Sequence, residues 1–259
     1  MSGKEYREQI VSFVREIGVA AGEQPAARWL EPICPRVLGL SEKQAARVHA
    51  QLDKVAQDAG IPVARQPCKG NIAIAFTNDA KGVVRSIQKR SARRLTEMSA
   101  SARASLLEGN APVRWWYTTD VVSRFGDKRG DMTPKATPDG PGNVPGGDRP
   151  SIAHYTSSLV STQEMRSLQS ATVVVDVEMA TGVSLEALAS YAALVAFAEI
   201  NARDAAPAGS ILSRLKPGGA DALTEMDMAF LRALYRISLD RQAHSHRRLL
   251  VERMSKSDN

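Results

Sequence analysis

Residues 188–201, LASYAALVAFAEIN, decide how this chain folds. Wound as a helix, the stretch is apolar on nearly every side, and such a helix is buried rather than laid on a surface. Just ahead of it, SATVVVDVEM (170–179) is rich in β-branched residues and reads as a buried strand. With strand, helix and further strands ahead of this buried helix and a terminal helix after it, the order of elements is α+β in a single domain. If the helix is a core element, Leu188, Leu194, Val195 and Phe197 are nearly fully buried.

Downstream, APAGSIL (206–212) makes a turn, and EMDMAFLRALYRI (225–237) makes a last helix, started by Thr224 with Asp227 as a capping box. Residues 241–259 are polar and basic, and are expected to form a frayed tail. Upstream, residues 1–26 form a helical segment with Ile10, Phe13, Val14 and Ile17 on one stripe, ended by Gly22 and Pro25. ARWLEPICPRVLGL (27–40) is extended because its two prolines oppose a helix. SEKQAARVHAQLDKVAQDAG (41–60) is the clearest helix. Ser41 and Gln44 cap its start, Val48, Leu52, Val55 and Ala59 hold one face, and Gly60 stops it. NIAIAFT is a short strand, DAKGVVRSIQKR and SARASLLEG are helical, and VRWWYTTDVV is again a strand. Alternation along that last strand exposes at least one ring of Trp115, Trp116 and Tyr117. Residues 123–150 contain 11 Gly and Pro in 28 positions, too many for regular structure, and read as a long surface loop joining two strands. The tripeptide Arg129–Gly130–Asp131 inside it is read as chance.

The chain has 259 residues, 43% hydrophobic and 24% charged, with a net charge of +6. These are ordinary globular values, and no apolar run reaches the roughly 18–20 residues of a membrane span. The start, MSGKEYREQIVSFV, lacks the basic-then-apolar pattern of a secretory signal. Either the protein stays in the cytosol, or a leader has been removed. The two cysteines, Cys34 and Cys68, have no zinc-site spacing. They read either as two separate buried thiols or as one disulfide, which would imply export from the cytosol. Both precede segments that pair in one sheet, and adjacent strands bring Cα atoms within disulfide reach, so the bond is the expectation.

RWLEPICPRV, the capped helix and NIAIAF resemble the opening of a bacterial family of uncharacterised exported proteins, itself similar to the zincin metallopeptidases. The second half agrees through Ser210 and Ile211 and through Leu223, Asp227, Leu231, Arg232, Leu234 and Tyr235. The resemblance covers roughly residues 27–240 outside the 123–150 loop, and implies a zincin-like fold with helix 184–201 in the active-site position. Zincin chemistry needs two histidines at i and i+4 with a glutamate beside the first. In this chain Val195, Ala196 and Glu199 fill those slots, so the zinc motif is missing and no metal or cofactor is expected. Glu199 reads as a solvated or capping residue, or else as the remnant of a site.

The other candidates are scattered. Of the four histidines, His49 lies on the exposed side of its helix and His154 opens the strand-like HYTSSLV. His244 and His246 sit in the expected tail. Asp176 and Glu178 share one strand face, either solvated or paired in a cleft. A candidate cleft beside the buried helix therefore gathers His154, Asp176, Glu178, Tyr191 and Glu199. Residues 85–94 hold five cations and no acid, and 241–253 add more, but neither cluster carries an aromatic ring for base stacking. The function expected is that of an exported, catalytically inactive zincin-like protein, periplasmic or extracellular, that binds a protein or envelope component. The alternatives are a hydrolase of unrecognised type and a cytosolic nucleic-acid binder using the basic clusters.

Overall fold

The computed structural model describes residues 3–90, 98–123, 164–201, 206–215 and 222–256. In chain order the elements are α1 (Gly3–Glu16), β1 (Ala27–Arg28), β2 (Pro35–Leu38), α2 (Glu42–Ala59), β3 (Ile72–Thr77), α3 (Ala80–Arg90) and α4 (Ala100–Glu108). They continue with β4 (Val113–Ser123), β5 (Glu164–Asp176), α5 (Leu185–Phe197), α6 (Ile211–Arg214), α7 (Glu225–Leu234) and α8 (Ala243–Lys256).

The sheet is organised by β5. On one side it pairs in parallel with β1 through its first half and with β3 through its second, and β3 in turn pairs in parallel with β2. On the other side β4 runs antiparallel to it, with one register shift between Thr118 and Thr119. This is an α+β fold built on a mostly parallel mixed sheet. β5 starts at Glu164, well before the segment whose composition marks a strand. Its first half, EMRSLQ, is polar enough to hide the pattern, and pairing with β4 and β1 overrides propensity there.

Alternation along the strands sorts side chains to two faces. Val173, Val175, Ile72, Ile74 and Tyr117 join a main core with α1, α2, α5, α7 and α8. Val174 and Trp116 point the other way and pack with Ala80, Val84 and Leu106 of α3 and α4. Because both faces are covered, Trp116 and Tyr117 are both buried and Trp115 is half-buried, with its indole N–H donating to the Ile200 carbonyl at 3.1 Å. The expected exposed ring is not there. A strand exposes alternate residues only when one face meets water.

Both capping boxes form. Ser41 and Gln44 start α2, Gly60 ends it in the left-handed conformation, and Thr224 and Asp227 start α7. Helix α1 is no appendage, since Ile10, Phe13 and Val14, with Ile17 just beyond it, enter the main core and Phe13 packs on Phe230 with ring centroids 5.9 Å apart.

The C-terminal region corrects the reading of a frayed tail. Residues 243–256 form α8, with Ala243, His246, Leu250 and Met254 buried along one stripe. Only one stripe in this basic sequence is apolar, and packing against α1 and α7 stabilises the helix where composition alone does not. His246 takes part as a neutral ring, with Nδ1 accepting from the Ala26 backbone N–H at 3.0 Å and tying α8 to the entry of β1. Burial lowers its pKa, only partly offset by nearby backbone carbonyls and Asp240. A histidine whose folded pKa is depressed stabilises fully above its unfolded value of about 6.5, and that stability is lost as pH falls through the folded value. Wild-type protein should therefore show a steeper fall in Tm from pH 7 to pH 5 than His246→Asn, which keeps an acceptor near the Nδ1 position but does not titrate. Equal slopes in thermal melts would contradict the neutral, buried ring.

Cys34 and Cys68 form a disulfide with S–S 2.01 Å and Cα atoms 6.2 Å apart. The segments that follow them pair in parallel as β2 and β3, with Pro35 opposite Ile72. Cys34 stands at the entry of β2, and its backbone N–H donates to the Asn71 side chain at 2.7 Å. Cys68 reaches it from the loop ahead of β3.

Candidate functional site

The neighbourhood of α5 is where the sequence places a cleft, so its geometry decides what the chain offers there. Ser184 caps the helix by accepting from the Ala187 N–H at 3.1 Å. Every residue from Ala187 to Phe197 is buried, including Leu188, Leu194, Val195 and Phe197 as expected. The helix runs between the sheet and α2. Gln51 donates to the Ser190 hydroxyl at 2.9 Å, and Arg47 pairs with Glu186 at the exposed start.

The buried C-terminal end of α5 poses a physical problem. The last carbonyls of a helix lack intrahelical partners, and leaving them dry and unpaired is costly. Three aromatic side chains meet this need. Tyr117 donates its hydroxyl to the Val195 carbonyl at 2.6 Å, Trp29 its indole N–H to Ala196 at 2.8 Å, and Tyr235 its hydroxyl to Phe197 at 2.8 Å. The Tyr117 oxygen also accepts from the Ile200 N–H at 3.2 Å. Burial pushes the phenols of Tyr117 and Tyr235 up, so both stay protonated as donors. Nothing in the local sequence of α5 announces this cage. Its members come from β4, the segment after β1 and the end of α7, and only the topology brings them together.

Glu199 lies just past the helix, and its carboxylate is neither solvated nor open to a groove. Arg166 of β5 grips it with two bonds, Nη1 at 2.7 Å and Nη2 at 2.9 Å, while Nη1 also donates to the Pro25 carbonyl at 2.8 Å. The two side chains are only 15% and 12% exposed, so the pair is a largely buried, bidentate bridge fastening the end of α5 to the sheet. Arg166 could not be anticipated as its partner, because the polar composition of EMRSLQ does not mark it as strand.

The remaining candidates do not converge. Tyr191 is buried against Trp115 in an edge-on contact at 6.0 Å, with its phenol pushed up by burial. Asp176 ends β5 and is buried. It caps the following turn by accepting from the Met179 N–H at 3.1 Å and approaches the Ala80 N–H at 3.5 Å. Glu178 is exposed on the turn, so the shared strand face is corrected: the strand ends at Asp176 and alternation ends with it. His154 lies outside the described residues, as do most of loop 123–150 and both Arg93 and Arg94 of the first basic cluster. His49 is half-buried on α2. Among the described residues no group of three or more His, Cys, Asp or Glu is arranged to hold a metal ion.

The residues that carried the family resemblance have structural work. Ser210 and Asp227 are both buried, and the serine hydroxyl donates to the carboxylate at 2.6 Å. Asp227 also accepts from the Ile211 N–H at 2.8 Å and from the Thr224 hydroxyl at 2.9 Å, so one carboxylate fixes α6 and the start of α7 together. Arg232 donates to the Asp58 carbonyl at 2.9 Å at the end of α2, and Tyr235 belongs to the cage. No family model, curated protein or solved structure matches the chain.

Proposed function

We propose that this protein is a non-catalytic interaction domain of zincin-like descent. It works outside the cytosol, in the periplasm or extracellular space, and holds a protein or envelope component. The burial of α5 carries this reading. In the register that the resemblance implies, Val195 and Ala196 take the slots of metal-ligating and proton-accepting side chains, and the helix end is enclosed by Trp29, Tyr117 and Tyr235. Glu199, the one residue of the motif able to bind a metal, is held by Arg166. The disulfide supports the compartment, because such bonds persist in oxidising surroundings. Among the described residues no helix is long and apolar enough to cross a membrane.

Metal analysis of the purified full-length protein tests the reading. Less than about a tenth of an equivalent of zinc is expected, with thermal stability unchanged by chelator. A stoichiometric zinc ion whose removal abolishes an activity would overturn it.

A further inference from the structure

Away from α5, the ends of α7 and α8 meet at a depression of about 130 Å³ lined by Arg232, Ala233, Arg236, Arg253 and Lys256. Ala233 is buried at its floor, Arg232 is half-buried, and the other three cations are exposed. Each pair has a local reason to be there. Arg232 lies in the last turn of α7 with Arg236 just beyond it, and Arg253 and Lys256 lie in the last turn of α8. Cations at those positions complement the negative end of the helix dipole. That reason does not extend to bringing both ends together, which gathers four like charges around one concavity. Lys256 pairs with Glu252, one turn earlier on α8, at 2.8 Å. Through that bond first, and the charges of Lys256, Arg248 and Arg253, the Glu252 carboxyl is held below its usual range. Arg232 commits Nε to the Asp58 carbonyl, and its terminal nitrogens, like those of Arg236, have no partner among the described residues.

We propose that this depression binds a multiply charged oxyanion, a phosphate group either free or carried on a lipid headgroup. Guanidinium forks match phosphate oxygens two at a time, and the terminal nitrogens of Arg232 and Arg236 offer such forks to the depression. The size agrees with a group of that kind. Pockets for drug-sized ligands run to about 300–1,000 Å³, and no aromatic ring lines this one to stack a nucleobase. The inference does not rest on the interaction-domain reading, so either can fail alone.

The experiment follows thermal unfolding of the full-length protein as phosphate or pyrophosphate replaces chloride at constant ionic strength. Wild type should show a saturable rise in Tm, steeper with pyrophosphate, and Arg236→Gln/Arg253→Gln should need at least tenfold more anion for the same rise. The melt of that variant in chloride checks its fold, and Lys256→Gln, altered at an exposed position, serves if it melts early. Co-sedimentation with phosphatidylglycerol vesicles, against phosphatidylcholine, distinguishes the sources. Binding lost in the variant assigns a headgroup, whereas a response to soluble anion without vesicle binding assigns a free one. Equal anion responses in wild type and variant would overturn the site. So would tight binding of a single-stranded oligonucleotide through the same residues without any phosphate response.

Discussion

Phe197→Ala is expected to lower the free energy of unfolding by about 3–5 kcal/mol, the usual cost of deleting a buried ring. Phe197 is 0% exposed and sits in the last turn of α5, within the main core. Its neighbours have little room to close the gap. The Phe197 carbonyl is fixed by Tyr235, the preceding carbonyls by Trp29 and Tyr117, and Glu199 by Arg166. A helix end held at that many points cannot slide inward to fill a cavity, which places the loss toward the upper part of the range. Urea denaturation gives the value directly. Leu38→Ala is the control, since Leu38 is 55% exposed and its loss should cost under about 0.5 kcal/mol. A loss below about 1 kcal/mol at Phe197 would mean that the helix end is open, and would return it to consideration as a site.

Replacing Cys34 and Cys68 by serine is expected to cost about 3–4 kcal/mol. The two are 34 positions apart, and cross-linking a loop of that length removes this much conformational freedom from the unfolded chain by the loop-entropy relation. Cys34 is buried, so the serine hydroxyl adds a desolvation cost at that position. The loop it closes contains α2, the helix that packs along α5, so loosening it reaches the main core. Denaturant titration of the wild type with and without reductant should reproduce the loss seen in the double variant. A midpoint that ignores reductant would show that the bond contributes nothing to stability.

What the sequence makes legible divides along physical lines. Features set by local chemistry were legible: the box at Ser41 and Gln44, the stop at Gly60, the box at Thr224 and Asp227, and the apolar α5. Each depends on residues within a few positions of one another. Features set by long-range pairing were not. EMRSLQ becomes strand only because β4 and β1 flank it, and that pairing delivers Arg166 to Glu199. The stripe at Ala243, His246, Leu250 and Met254 becomes legible once His246 is counted as able to sit in a core. Its helical spacing is the signal that a basic composition concealed. Asp176 and Glu178 show the converse, since the alternating pattern continues in the sequence past Asp176, where the chain turns. Of the candidate cleft, Asp176, Tyr191 and Glu199 are each engaged in separate contacts, and His154 lies outside the described residues. The basic depression between α7 and α8 was half visible as the cluster at 241–253, but Arg232 and Arg236 join it only through the fold.

Where the protein works is read most directly from the state of Cys34 and Cys68 in cells that make it natively. Cells are quenched in acid, free thiols are alkylated, and the intact protein is weighed before and after reduction. A domain working in an oxidising compartment should take up no alkylating groups before reduction and two after it. Recovery of the folded protein with both thiols already alkylated would place it in a reducing compartment and contradict the proposed site of action.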